Sequence, residues 1–188
     1  MSGLNAINLI NDLDSMHVRP LRKEQARVLI KELVDGLEFS LSEMQIEYIL
    51  DKIQWFIPFY IQLIIQELDS IVSYKGHGKI DEALIDCSFE QILEQRHHFE
   101  HWDTRLRKAY KKEYYKFAKD LLNYISKDGI INSGEIYNLA VKYNVEENFK
   151  DIIRSLIYDG YINNNDDIQI YRFNSPILKM WWWKNVAN

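Results

Sequence analysis

Glycine and proline are scarce in this chain, and this scarcity limits how often the backbone can turn sharply. The sequence has seven glycines and three prolines in 188 residues. Tight turns rely on these two residue types, so a turn-rich sandwich or barrel is unfavourable. Hydrophobic residues make up 47% of the chain, which is enough for a buried core. The composition therefore predicts a mainly α fold.

The first part of the chain shows a series of helical patterns. Apolar residues at helical spacing predict helices over residues 23–37, then over a segment capped by Ser40 or Ser42, and from Pro58 to about residue 74. Ser42 and Gln45 have the spacing of a capping box. The segment KGHGK at 75–79 is the clearest break, and two shorter helical pieces, 81–85 and 88–97, follow it.

From residue 111 the pattern changes to that of a winged helix-turn-helix. A helix over 112–126, a short strand at 130–132, a helix capped by Ser133 and a helix over 146–158 come in this order. Two alternating segments, 161–162 and 168–173, flank a tip rich in Asn and Asp and predict a β-hairpin, the wing. A last helix begins at Ser175 and Pro176. We therefore expect a mainly α chain, with a helical subdomain at 22–108 and a winged helix-turn-helix with a small β-hairpin wing at 109–188.

The charge and the single cysteine restrict the cellular setting. A formal net charge of −5 disfavours long-range attraction of the whole chain to nucleic acid. No run reaches about 18 apolar residues, so neither a membrane-spanning helix nor a membrane partner is expected. Cys87 has no cysteine to pair with, and the first residues lack the basic-then-apolar order of a secretory signal. The expected location is the cytoplasm.

Three segments carry a resemblance to a known family. They are MHVRPL at 16–21, WFIPFYIQ at 55–62, and YRFNSPIL at 171–178 followed by Trp181 and Trp182. In this order they resemble the last core strand, the lid motif and the closing winged-helix signature of prokaryotic P-loop ATPases. These enzymes are related to the archaeal-type and signal-transducing AAA+ ATPases. The resemblance covers nearly the whole chain from about residue 12.

The resemblance implies that the chain is the non-catalytic end of a larger ATPase. Residues 1–21 would be a remnant of the ATPase core, residues 22–108 the lid, and the missing core a partner. In the family the phosphate-binding loop, the Walker B acid and the arginine sensors lie upstream, and this sequence has no Gly-x-x-x-x-Gly-Lys-Ser/Thr motif. ATP and magnesium are therefore expected for the full-length parent, with no catalytic residue, metal or cofactor in this chain alone.

Pro58 is the one residue to which the resemblance assigns cofactor contact. The family's lid proline lies against the adenine or sugar of the bound nucleotide. The glycine that usually stands two residues before it is Phe56 here, and a phenyl ring could fill part of that cleft. The alternative is that Pro58 simply begins a buried helix, since proline suits a first turn.

His97, His98, Glu100 and His101 form the densest group of potential metal ligands. On one helix His97 and His101 would share a face, which is the spacing of two zinc ligands. The order is not His-Glu-x-x-His, and the sequence fixes no third ligand. With Phe99 and Trp102 interleaved, the pattern favours a polar face at a subdomain seam over a metal site.

Basic residues cluster just before and within the winged helix. The candidates for nucleic-acid or partner contact among them are Arg105, Arg107, Lys108, Lys111, Lys112, Lys150, Arg154 and Arg172. Such residues with interleaved tyrosines can bind phosphate backbones, and they equally form the solvated face of a helix. The predicted recognition helix carries Glu146, Glu147 and Asp151, and the wing tip Asp166 and Asp167, where a DNA reader needs cations or amides. These charges favour a protein partner over DNA.

Trp181, Trp182 and Trp183 are consecutive. Successive helical side chains are spread by about 100°, so at least one of these indoles must leave the core of its own domain. The two interpretations are a seam with the lid subdomain and a contact for a partner or the missing core. Trp182 is taken as the partner contact.

Three functions follow from these patterns. The first is the lid and winged-helix region of an AAA+-like ATPase, a nucleotide-sensing module that contacts protein or DNA. The second is a free-standing winged-helix regulator that binds DNA. The third is a protein-interaction adaptor without a ligand.

Overall fold

We describe residues 20–75 and 79–187 in a computed structural model of the chain. These residues are mainly helical with a small antiparallel sheet, which confirms the predicted fold class. The helices are α1 (Lys23–Val34), α2 (Glu43–Ile53), α3 (Pro58–Lys75), α4 (Glu82–Glu94), α5 (Glu100–Ala109), α6 (Lys112–Asp128), α7 (Ser133–Tyr143), α8 (Phe149–Tyr158) and α9 (Pro176–Trp182). The strands are β1 (Ile131–Asn132), β2 (Ile162–Asn163) and β3 (Ile170–Phe173). Most of the expected core remnant, residues 1–19, and the centre of the predicted break, residues 76–78, lie outside the described residues.

Helices α1 to α4 pack in pairs, with α1 on α2 and α3, and α3 on α4. The predicted capping box is confirmed, since the Ser42 hydroxyl accepts from the Gln45 amide at 3.4 Å and the Gln45 side chain accepts from the Ser42 amide at 2.7 Å. Helix α4 is continuous where the sequence predicted two pieces. Ser88 is buried within it, and its hydroxyl donates to the Ile85 carbonyl at 2.6 Å, so this polar residue requires no break. Within the described ranges the helices fall short of what a membrane span requires.

The elements from α6 onward follow the predicted order of a winged helix-turn-helix. The sheet has the order β1-β3-β2 with both pairings antiparallel, and β2 and β3 form the wing. Two helix starts differ from the prediction. Asn132 rather than Ser133 caps α7. Helix α8 begins at Phe149 rather than at 146, because Asn144 adopts a left-handed conformation that ends α7 and the chain needs a turn before it is helical again.

Buried side chains from both predicted subdomains form one hydrophobic cluster. Aromatic contacts cross the predicted boundary. Phe99, which stacks on Tyr60 of its own part with ring centroids 6.0 Å apart, also stacks on Trp181 of the winged helix at 5.7 Å. Tyr161 meets Trp102 edge-on at 4.9 Å, and its hydroxyl donates to the Trp102 carbonyl at 2.8 Å. The two parts therefore share one core, while a domain boundary at 108 stays a prediction.

The three consecutive tryptophans divide between the core and the surface. Trp181 and Trp182 are buried, and Trp183 is 38% exposed. The Trp181 ring stacks on Phe99 at the seam between the two parts. The Trp182 ring meets Tyr161 and Phe173 of the winged helix, and its indole N–H donates to Asn123 Oδ1 at 2.9 Å. The assignment of Trp182 to a partner contact is therefore wrong, because the core covers its whole side chain. The seam interpretation describes Trp181, and Trp183 is the indole that leaves the core.

Replacing Trp182 and Trp183 separately tests this division. We expect Trp182→Ala to lower the free energy of unfolding by about 3–5 kcal/mol, because it opens a large cavity in the core. Trp183→Ala should lower it by about 1 kcal/mol or less, since its indole is partly in solvent. Urea unfolding followed by circular dichroism measures both values. Equal losses in the two variants would contradict the assignment of core and surface.

Candidate interaction surface

Helix α8 occupies the place of the recognition helix, with one face buried and the other open. Ile152 and Ile153 pack into the core. Lys150 and Arg154 lie one turn apart on the exposed side, and Tyr158 at the C-terminal end of α8 is 80% exposed. The open face therefore presents cations and one aromatic ring to a partner.

The arginines of α8 and of the wing already have acidic partners. Arg154 Nη1 lies 2.9 Å from Asp151 Oδ1, one turn away on the same helix. Arg172 of β3 pairs with Asp166 at the wing tip. Among the described residues of α8 and the wing, Lys150 is the cation that forms no ion pair. The face that a DNA reader would present is thus close to neutral.

The predicted basic stretch also divides into paired and unpaired residues. Arg105 Nη2 lies 3.5 Å from Asp159 Oδ1, and its guanidinium lies over the Trp102 ring. Arg107 donates to Asp103 at 2.6 Å, and this hydrogen bond raises the pKa of the guanidinium above its ordinary value. The exposed lysines of the stretch that form no ion pair with a described residue are Lys108, Lys111 and Lys112.

The structure brings the basic stretch to both ends of α8. The Tyr114 hydroxyl, in the first turn of α6, donates to Asn148 Oδ1 at 2.9 Å, immediately before α8. The start of α6, with Lys111 and Lys112, therefore lies near the start of α8. At the other end, Arg105 of α5 is tied to Asp159, which follows the last residue of α8. Most of the predicted contact residues thus surround a single helix.

A groove of about 380 Å³ lies between α8, the start of α7 and the wing. Its apolar and aromatic lining consists of Ile136, Phe149, Ile153, Ile157 and Tyr171. Its charged lining is Lys150 and Arg154, with no carboxylate. No pattern in the sequence predicts this groove, because its shape depends on how the wing packs against α8. The placement of Lys150, Arg154 and Ile157 at helical spacing was the one available signal.

The segment that resembles a lid motif, residues 55–62, is exposed at its centre, where α3 begins. Pro58 is exposed at the first position of α3, and Phe59 beside it is 42% exposed. The Phe59 ring meets the His98 ring edge-on, with centroids 6.2 Å apart. The Leu21 amide donates to the Phe56 carbonyl at 2.9 Å, so the chain leading into α1 runs beside this segment. Pro58 begins a helix, and its contact with a nucleotide stays a prediction.

Trp55 connects the same segment to the end of the recognition helix. Gly160, just after α8, has a φ of +84°, a conformation that glycine adopts without strain. A Cβ at this position would lie 3.0 Å from Trp55 Cη2, so the missing side chain also leaves space for the indole. The segment at 55–62 therefore contacts the turn that follows α8.

The histidines of the cluster do not lie on one helix, so His97 and His101 do not have the helical spacing that a zinc pair would need. His97 and His98 lie in a 3-10 turn, Arg96–His98, and His101 lies in α5. Burial, and then the nearby His97, lower the pKa of His98, and its Nε2 lies 2.8 Å from Gln95 Oε1. Among the described residues, no group of three His, Cys, Asp or Glu side chains is placed to hold a metal ion.

Comparison with known proteins identifies no relative of this chain. No family model matches the sequence, and neither a curated protein nor a solved structure is significantly similar to the chain. The function must therefore be inferred from the surface itself.

Proposed function

We propose that this chain is a non-catalytic, cytoplasmic contact module in which the winged helix binds a protein through α8 and the wing. The observation that supports this proposal is the ion pairing of the arginines on that face. Arg154 pairs with Asp151, and Arg172 pairs with Asp166. A winged helix whose arginines on this face are already paired, with Lys150 as the unpaired cation there, has little to offer to phosphates.

The energetics of DNA binding explain why the ion pairing of these arginines disfavours DNA as the partner. Proteins bind duplex DNA largely by neutralising phosphates with Lys and Arg, and non-specific affinity follows the number of cations released for that task. Here each arginine of α8 and the wing would have to leave a carboxylate, and that carboxylate would then repel the phosphate. A protein partner does not require the arginines to leave their carboxylates, because its surface can present groups of either charge.

Removing the two carboxylates tests the proposal directly. At about 50 mM salt we expect no detectable binding of the native chain to a labelled DNA duplex, where phosphate contacts are strongest. The double change Asp151→Asn and Asp166→Asn frees Arg154 and Arg172, and we expect weak, salt-sensitive binding. Fluorescence anisotropy of the duplex measures both.

The matched control for this experiment is Glu82→Gln with Glu90→Gln. It changes the net charge by the same amount at two exposed positions of α4. We expect this control to bind no better than the native chain. Tight binding of DNA by the native chain, or equal gains in both variants, would contradict a protein-contacting role for α8 and the wing.

A second candidate function is that the module is the lid end of an AAA+-like ATPase. The observation that favours it is the exposed pair of Pro58 and Phe59 at the start of α3. Such apolar rings suit contact with a nucleobase or sugar, and this chain supplies no backbone cradle for phosphates, since it has no phosphate-binding loop motif. Pro58 and Phe59 would hold the base side of ATP, and the chemistry on its phosphates would belong to the ATPase core.

Adenosine is the probe that tests the second candidate. In amide NMR spectra of the ¹⁵N-labelled chain we expect adenosine, and not ribose, to shift the Phe59 and Tyr60 signals. Pro58→Ala should reduce these shifts. Magnesium-ATP should bind no more tightly than adenosine, because the phosphates find no site on this chain. Unchanged Phe59 and Tyr60 signals, or shifts that survive Pro58→Ala, would remove the assigned contact.

A further inference from the structure

We propose that the groove between α8 and the wing binds an acidic peptide segment that inserts one bulky apolar side chain. This inference rests on the proposed protein-contacting function and names the chemistry of the partner. Three observations support it: an incompletely covered apolar lining, a local excess of cations and the position of β3 inside the sheet.

The lining has room and apolar surface for an inserted side chain. Ile136 and Ile153 are buried and form the base of the groove, whereas Phe149 and Ile157 are only half-buried. The volume of about 380 Å³ lies near the lower end of the range for small-ligand pockets, roughly 300–1,000 Å³. An aromatic or large aliphatic side chain would cover the exposed parts of Phe149 and Ile157. Burial of that apolar area supplies the attraction.

The charge of the groove selects an anionic partner. Lys150 and Arg154 are its charged lining residues, and the lining holds no carboxylate. Arg154 pairs with Asp151, which lies outside the lining, so Lys150 is the lining cation that forms no ion pair with a described residue. Lys150 is exposed and is therefore available to a carboxylate of the partner.

The pairing of β3 within the sheet limits how the peptide can bind. Tyr171, which lines the groove, lies in β3, and β3 is paired on both sides, with β1 and with β2. The backbone groups of β3 are therefore not available to pair with a strand of the peptide. The partner must be recognised through its side chains, by one apolar anchor and flanking carboxylates. Nucleic acid fits less well, because an apolar lining with two cations offers a phosphate backbone few contacts.

A displayed library of random eight-residue peptides selected on the full chain tests this inference. We expect the enriched peptides to share an aromatic or large aliphatic residue next to Asp or Glu. Anisotropy of a labelled peptide from the enriched set then measures affinity for variants. Lys150→Glu with Arg154→Glu should weaken binding about tenfold or more, since a charge-complementary contact becomes repulsive. Ser133→Trp, which fills the groove without a change of charge, should weaken it as well.

Lys79→Glu with Lys127→Glu is the matched control, with the same charge change at exposed lysines outside the groove. It should keep the affinity within about twofold, as expected for charges away from a contact. Thermal melts followed by circular dichroism confirm that each variant is folded. A peptide that loses affinity only in the Lys79 and Lys127 variant contradicts binding in the groove while leaving a protein-contacting function in place. Three results overturn the inference outright: no enrichment, an enriched set without acidic residues, or displacement of the peptide by a DNA duplex.

Discussion

The stacking of Phe99 between Tyr60 and Trp181 is the contact on which the arrangement of the two halves depends. Tyr60 belongs to α3, Phe99 lies at the start of α5, and Trp181 comes from α9 at the far end of the sequence. Buried aromatic rings of this size contribute large apolar areas, and their offset stacking adds specificity of orientation. The Trp181 indole N–H has no partner among the described residues, so packing rather than a hydrogen bond sets its position. Aromatic packing therefore holds the winged helix on the helical part, together with the hydrogen bond from Tyr161 to the Trp102 carbonyl.

This shared core has a consequence for the recognition helix. Gly160, two residues after the end of α8, lies against Trp55, and Tyr161 next to it donates a hydrogen bond to the Trp102 carbonyl in α5. At the other end, Tyr114 of α6 donates a hydrogen bond to Asn148, the residue before α8. The chain after α8 is thus attached to the helical part, and the start of α8 to the first helix of the winged helix. These contacts restrain both ends of the interaction face, and a restrained face loses less conformational entropy when a partner binds.

The sequence predicts the local features well and the long-range ones poorly, for physical reasons. Capping by Ser42 depends only on residues within one turn, so its spacing is enough to identify it. The burial of Trp182 depends on distant neighbours such as Asn123, 59 residues away in the sequence. The same limit applies to the candidate site. The charges of α8 and the wing can be identified from the sequence, and the pair of Arg154 and Asp151 lies within one turn of α8. The groove between α8 and the wing exists only after the wing has packed.

The winged-helix fold by itself would suggest DNA as the partner, whereas the charges on its open face favour a protein. A winged helix is a scaffold that supports several kinds of contact, so its function follows from the side chains on its open face. On this chain the arginines of that face neutralise their own carboxylates, and the groove behind them combines apolar surface with Lys150. Phosphates require many unpaired cations on a polar surface, whereas a peptide anchor requires a few cations around an apolar one. The open face of this chain has the few cations and the apolar surface that a peptide anchor requires.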